Sequence, residues 1–319
     1  MKKLIRITAW ILFFTVISLT FVIPKTSSAK IDKESGYKAV LSIWQIDSFE
    51  GGKGSRASFL KRVSTSFSKK YKGVLTLVTS HTVNSAKKAL EEGASPDIIS
   101  VGAVGLDFST YQKEVGNLAV EGGGILGKER YFVPWAKSGY FKIKKGNGEK
   151  VIVSEGNYNS GAIALALSGL TFKSYKLLNT IDAFNEFLIS KDATLIGTVR
   201  DVVKLQSRNI ECEIEVLGNF NDLYQYALIT SKNSVYYSRL FIDYLLSSKV
   251  QKTLTEISLL SVSERGLYPE IKAFATLEKT KTTYTVSPFL DVNTIEKLKE
   301  LAKEVLNGVK EKEELIKHL

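Results

Sequence analysis

Thiols and imidazoles are nearly missing from this chain of 319 residues, which has one cysteine, Cys212, and two histidines, His81 and His318. A single thiol forbids an intrachain disulfide, a bond that is permitted but not required outside the cell. It also leaves no cysteine near residue 30 to carry a lipid. One Cys and two His make a zinc site hard to build; carboxylates alone remain in number, and those suit calcium better. No metal and no cofactor is therefore expected. A nucleotide-binding signature is missing too. The stretch IDSFEGGKGSR, residues 46–56, is glycine-rich and carries a lysine. A P-loop, however, needs G-x-x-x-x-G-K-[ST] so that backbone amides wrap the phosphates. Here Lys53 stands between Gly52 and Gly54, with no Ser or Thr directly after it. There are no internal repeats and no low-complexity tracts, and no Ser or Cys motif accompanies His81 to make a nucleophile–base pair.

Charge is present but unbalanced: 44 Lys and Arg against 33 Asp and Glu, a formal +11. The chain opens on the basic MKKLIR, followed by an uncharged, mostly apolar run at residues 7–23. Pro24 and the small Ser27, Ser28 and Ala29 come next, ahead of Lys30, in the layout of an export signal. The apolar run of 17 residues is long for a signal peptide and short for a membrane span. Residues 1–29 are thus open to two readings, a cleaved signal peptide or a retained N-terminal membrane anchor. Either puts the folded part outside the cytoplasm, in the periplasm or on the outer face of the cytoplasmic membrane. Without residues 1–29 there remain 40 basic and 33 acidic residues, about +7. That suits an anionic wall or lipid surface, or simply a solvated lysine-rich exterior. Nucleic acid is not an expected partner, because export removes it and the charge is spread rather than clustered.

With 44% hydrophobic residues the chain can bury one large core or two ordinary ones. Residues 30–36 read as a polar linker. Residues 37–46 are a nearly continuous apolar run, as in a strand buried on both faces. After the glycine-rich stretch, Ser55 caps a helix with Phe59, Leu60, Val63 and Phe67 at helical spacing. Residues 73–80 are a second strand. AKKALEEG is a helix with Ser85 as its cap and Gly93 as its stop. Residues 96–102 are a third strand. Alternating strands and helices imply a parallel sheet with right-handed crossovers, where ligands bind at the carboxyl ends of the strands. On that pattern IDSFEGGKGSR is the loop leaving the first strand, either at the ligand or as an ordinary turn. Downstream, a GGG patch at 122–124 precedes an extended segment at 131–145 and a turn at 145–150. Helices are expected at 159–170, 181–192, 199–208, 235–257, 295–306 and 310–319, and strands at 193–198 and 222–232.

YKAVLSIWQIDSFEGGKGSRASFLKRVSTSFSKKYKGV, PDIISVG and FVPWAKSGYFKI, in that order, resemble bacterial extracellular solute-binding proteins (family 1-like) of ABC importers. DATLIGTVRDVV and LYQYALITSKNSVYYSRLFIDYLLSSKVQKTLTEISLLSV agree with the same pattern. The resemblance implies an α/β, two-lobe periplasmic-binding-protein-like type II fold, each lobe a mostly parallel sheet flanked by helices. Crossovers are expected near 131–143 and 223–230. They divide the chain into a first lobe at 37–136, a second lobe at 137–228, and a return to the first lobe with C-terminal helices at 229–319. The resemblance further implies a non-catalytic receptor, expected to be monomeric, that passes a small solute to a membrane permease. A carbohydrate is the favoured solute, with an anion or a peptide as alternatives. A receptor for a signalling kinase, a wall-associated scaffold and an exported glycan hydrolase are the other functional readings. The hydrolase would need a carboxylate pair such as Asp47 and Glu50.

Sugar binding calls for an aromatic face against ring C–H groups and for carboxylates and amides against hydroxyls. Trp44 and Asp47, at the end of the first strand, can supply both, or serve as core and turn former respectively. Ser80 and His81 end the second strand, and Ser100 and Gly102 the third, as candidate rim contacts. Trp135 and Tyr140, near the first crossover, either line the cleft floor or pack it. Across the cleft, Asn157, Tyr158 and Asn159 precede a helix whose amides favour oxygen-rich ligands. Thr198 and Arg200 follow the second-lobe strand. Arg200 either clamps a hydroxyl or carboxylate or pairs with an acid such as Asp201. Arg200 and Lys137 are what favours an anionic or peptide solute.

Overall fold

The computed structural model describes residues 36–47, 51–52, 54–102, 132–230, 235–286 and 290–319. The signal or anchor, Glu50, Lys53 and the GGG patch lie outside the described residues. Residues 39–319 form one compact unit.

The first sheet starts with β1 (Ala39–Asp47), whose inward residues alternate between two layers. Leu41 and Ile43 face one core, which also holds Phe59, Leu60, Val63 and Phe67 of α1 (Arg56–Lys70). Trp44 and Ile46 face the other, with Ala86 and Leu90 of α2 (Val83–Glu91). Strand β2 (Val74–Thr82) and β3 (Ile98–Val101) flank β1 and run parallel to it. Ser55 caps α1 as its sequence implies, accepting from the amide of Ser58. The cap of α2 is Thr82 rather than Ser85: the Ser85 amide donates to Thr82 Oγ1 at 3.2 Å. Two hydroxyl residues three apart both read as caps, and the one ending a strand in extended geometry takes the role.

Two further strands complete this sheet, β4 (Phe132–Lys137) and β10 (Tyr224–Ile229), in the order β2-β1-β3-β10-β4. Strand β10 is antiparallel to both of its neighbours. Between them in sequence lies the second sheet, built from β5 (Tyr140–Lys145), β6 (Lys150–Ser154), β7 (Lys176–Leu178), β8 (Ala193–Thr198) and β9 (Glu213–Leu217). Its order is β7-β6-β8-β5-β9. Val151 and Val153 of β6 turn toward α3 (Gly161–Ser168). Ile152 turns the other way, toward Ala183, Phe184 and Phe187 of α4 (Thr180–Ile189) and toward α5 (Val199–Gln206).

Residues 224–228, expected in the second lobe, thus belong to the first sheet; the second passage between sheets is residues 218–223. The return after β10 also differs from the expected one. Helix α6 (Val235–Leu245) packs on β1, β10 and α1. The short α7 (Ser248–Gln251) and a 3-10 segment, Lys252–Ile257, follow it, so the helix expected over 235–257 is broken after Leu245. The chain then passes back: α8 (Lys272–Lys279) packs on β9, and α9 (Val292–Leu306) packs on α3 and α10 (Lys312–Lys317). Apolar periodicity announces a helix but not which of two sheets receives it.

The three passages between sheets are tied to one another. At the first, Ser138 N donates to Leu223 O at 2.7 Å, and Asn221 Nδ2 donates to Ser138 O at 2.9 Å. Lys137 and Leu260 exchange both backbone hydrogen bonds, at 3.0 and 2.9 Å. The buried Gln251 amide donates to Trp135 O and Leu245 O and accepts from Ser261 Oγ and Val262 N. Gly139 sits where a Cβ would meet Leu277 Cδ2 at 2.4 Å, so α8 presses directly on the first passage. Gln251→Ala strands several of these groups away from water. Urea unfolding is expected to register a loss of about 2–4 kcal/mol, the cost of one to two unsatisfied buried groups plus packing. A loss within about 0.5 kcal/mol would mean the pin is dispensable.

Candidate functional site

The carboxyl ends of β1 and β2 carry a ring pair and a carboxylate. Trp44 is 8% exposed and stacks on His81 with ring centroids 4.2 Å apart. Thr79 Oγ1 lies 2.9 Å from His81 Nε2, and burial pushes the imidazole below its ordinary pKa, favouring a neutral ring. Asp47 accepts from Ser80 Oγ at 3.2 Å. Past it the chain reaches Gly52, whose φ of +68° suits glycine. An added Cβ there would meet Leu259 Cδ2 at 2.4 Å and Ile257 O at 2.6 Å. The glycine therefore lets this loop lie flat on the end of the 3-10 segment. Arg56, at the first position of α1, donates to the carbonyl of Gly51. Burial lowers its pKa to about 10; Asp47 opposes that shift and the charge of Arg200 adds to it.

That coupling runs from one lobe to the other. A cavity of about 310 Å³ separates them here, lined by Gly52 and Gly54 of the first lobe and Arg200, Val203, Lys204 and Ser207 of α5. Among the described residues Arg200 makes no ion pair, so its expected pairing with Asp201 does not form. Asp201 instead turns back on α5, taking the Thr198 amide at 2.9 Å. Burial, then the charge of Arg200, pushes Lys204 below the ordinary lysine range. Tyr158 of the second lobe packs against the cluster that holds Trp44, Tyr224 and Tyr226, while Asn157 beside it is exposed.

Asp47 and Ser80 at the strand ends are linked to Arg200 through Arg56, while Trp44 and Tyr158 share the apolar cluster beside β1 and are not among the described residues lining the cavity. Other expected residues lie elsewhere. Trp135 is fully buried, parallel to Phe59 at 5.8 Å, and its indole N–H donates to Ser100 Oγ at 3.1 Å. Ser100 in turn donates to Gln45 Oε1 and accepts from Gln225, so both residues are core and not rim. Gly102 is buried just after β3. Thr198 is buried as the cap of α5. Lys137 lies nearer Glu278 and Arg265 than the cavity. The helix-amide site expected before α3 is taken by the protein itself: the Ser160 amide donates to Tyr140 Oη and the Ala162 amide to Glu155 Oε2. Asn159 is buried against Ser154 and Thr180.

Sequence reasoning passed over Arg56 and Lys204; Lys204 is one turn from Arg200 on α5, while Arg56 comes near Arg200 only because the lobes meet. It also passed over a buried acid pair. Tyr140 Oη donates to Asp222 Oδ1 at 2.7 Å across the passage between sheets. Burial pushes Asp222 up to about 6, with the Tyr140 hydroxyl opposing. It pushes Glu155 up to about 7, outweighing the Ala162 amide and Lys299, whose ammonium is 3.6 Å away. Among the described residues no group of three His, Cys, Asp or Glu is placed to hold a metal ion. A larger cavity of about 780 Å³ lies between α9 and the C-terminus, lined by Leu298, Leu301, Glu300 and His318. It is open to solvent and shares no lining residue with the cavity between the lobes.

No protein-family model matches the chain, and no curated protein matches it by sequence. Solved structures do match in fold. The GacH receptor of Streptomyces glaucescens, solved unliganded and with acarbose, aligns at TM-score 0.57 and 13% identity over 88% of this chain and 96% of its own. Maltose-bound MalE3 of T. maritima aligns at 0.58 and 9% identity, over 88% and 98%. The Atu4243-GABA receptor aligns at 0.54 and 13% identity, over 83% and 97%.

Both buried acids hold their protons more tightly folded than unfolded. Their contribution is therefore lost as pH rises from the ordinary carboxylate range through about 6 and 7. Melting temperature measured from pH 4.5 to 8 is expected to fall less with pH in Glu155→Gln than in the parent protein. A variant with an unchanged or steeper fall would contradict the assignment.

Proposed function

We propose that the protein, whose fold is the two-lobe, type II periplasmic-binding-protein fold with sheet order β2-β1-β3-β10-β4 in the first lobe, is an extracellular solute receptor of an ABC importer. It captures a carbohydrate in the cleft and presents the closed form to a membrane permease, without catalysis. The observation that carries this reading is the cavity walled by both lobes, the Gly52–Gly54 loop on one side and α5 on the other. A solute there touches both halves, so binding favours the closed arrangement by whatever those shared contacts contribute. Trp44 and Tyr158 offer the aromatic surface that sugar C–H faces need, and Asp47 and Ser80 offer hydroxyl partners.

The proteins similar in fold support a small-solute receptor, since their names record acarbose, maltose and GABA. Those ligands differ in class, so the choice of a sugar leans on the aromatic pair and not on the fold. A hydrolase needs two carboxylates facing one bond. Of the pair considered for one, Asp47 accepts from Ser80 and Glu50 lies outside the described residues.

A thermal-shift screen with sugars, amino acids, peptides and oxyanions tests the proposal. A ligand at 100 times its Kd adds roughly 2.7 kcal/mol, on the order of 5–10 °C for a chain of this size. One sugar class is expected to give such a shift, and Trp44→Ala to reduce it while the far-UV spectrum stays unchanged. Shifts only with peptides or amino acids would contradict the carbohydrate reading.

A further inference from the structure

The cavity between the lobes has a charge that a neutral sugar does not call for. Arg200 and Lys204 line it from α5. Arg56 stands at the base of the opposite loop, near enough for the charge of Arg200 to add to the lowering of its pKa by burial. Lys204 is crowded by Arg200 and less by Arg208, with Asp201 opposing them. Lys204 and Arg208 both lie over the Phe184 ring, at 4.9 and 5.3 Å. Two of the described acids stand against these cations. Asp47 is beside Arg56 and shared with Ser80, and Asp201 is turned to the Thr198 amide.

Gathering like charges in a partly buried space costs free energy in the empty protein, and an entering anion recovers it. Nothing in the fold requires the arrangement: α5 is already capped by Thr198 and Asp201, and its apolar face, Val199, Val202 and Leu205, makes its contribution to the core without Arg200 or Lys204. A guanidinium matches a planar carboxylate or a sulfate with two parallel hydrogen bonds, and an ammonium adds a point charge. Of the described residues lining the opposite side, Gly52 and Gly54 add no side chain to the space.

Building on the receptor reading, we infer that the solute is an acidic saccharide, whose carboxylate or sulfate sits in the cavity between Arg200 and Lys204 and the Gly52–Gly54 loop. The sugar ring then extends toward Trp44 and Tyr158. Export leaves such saccharides accessible, and the overall excess of Lys and Arg draws them in at low ionic strength.

Titration calorimetry on the protein tests this with four probes: trigalacturonate, a chondroitin sulfate disaccharide, neutral maltotriose and inorganic sulfate. At least one acidic saccharide is expected to bind about tenfold or more tighter than maltotriose, about 1.4 kcal/mol. Raising NaCl from about 20 to 300 mM should weaken it severalfold. Arg200→Gln and Lys204→Gln should each weaken it by about tenfold and weaken maltotriose distinctly less. Whether the uronate or the sulfate ester wins identifies the acid group. Maltotriose binding as tightly, indifferent to salt and to both variants, would overturn the acidic assignment while leaving a sugar receptor. Inorganic sulfate binding as tightly as the sulfated disaccharide would overturn the saccharide in favour of a free oxyanion. Silence from all four would overturn both the acidic assignment and the receptor reading beneath it. The salt dependence of the parent protein gives its answer even where a variant fails to fold.

Discussion

The architecture depends on keeping three chain passages together between two sheets. Each passage carries backbone donors and acceptors that no sheet ladder can satisfy, in a region too buried for water to take them. The chain solves this by pairing the passages with one another. Ser138 and Leu223 join the first two, Asn221 returns to Ser138, and Leu260 pairs with Lys137. Gln251 then joins the carbonyl of Trp135 to the turn at Ser261 and Val262. A buried side-chain amide can do this because it carries donors and acceptors at once. The lobes are thereby held at their shared edge, and the cleft follows as the space left on the side where the strands of β1 and β2 end.

From that constraint the site's features fall into a sequence. The flat loop at Gly52 rests on the 3-10 segment that follows Gln251, so the pin and the cleft wall are continuous. Helix α5 faces that loop with its polar side because its apolar side is committed to Phe184 and the second core. The acids Asp222 and Glu155 are buried close to the passages, where Tyr140, the Ala162 amide and Lys299 partly offset the cost of burial. Their raised pKa values say the offset is incomplete. Stability is spent there on polar groups, at the place where two lobes meet, rather than on hydrocarbon.

Much of the first lobe was legible from residues alone. The run containing Trp44, the Ser55 cap and the periodic Phe59, Leu60, Val63 and Phe67 each use local rules that tertiary structure did not override. What failed was choice among equals. β6 and β9 were passed over because VIV and EIEV are short and sit beside charged residues. The Tyr224–Ile229 strand reads the same in either sheet, and only pairing with β3 and β4 assigns it. Trp135 and Tyr140 look like ligand aromatics in sequence, yet their polar atoms have protein partners, Ser100, Asp222 and Ser160. In the site, Arg200 was visible as a residue after a strand, while Arg56 and Lys204 gained meaning only when the two lobes placed them together.

The central claim is that a solute is held between the Gly52–Gly54 loop and α5. A crystal structure of the protein grown with whichever saccharide binds in solution tests that most directly. The account predicts density for the ligand in this cleft, in contact with Arg200 on one lobe and with the loop or Asp47 on the other. A ligand seated against one lobe alone, or in the groove beside α9, would contradict it.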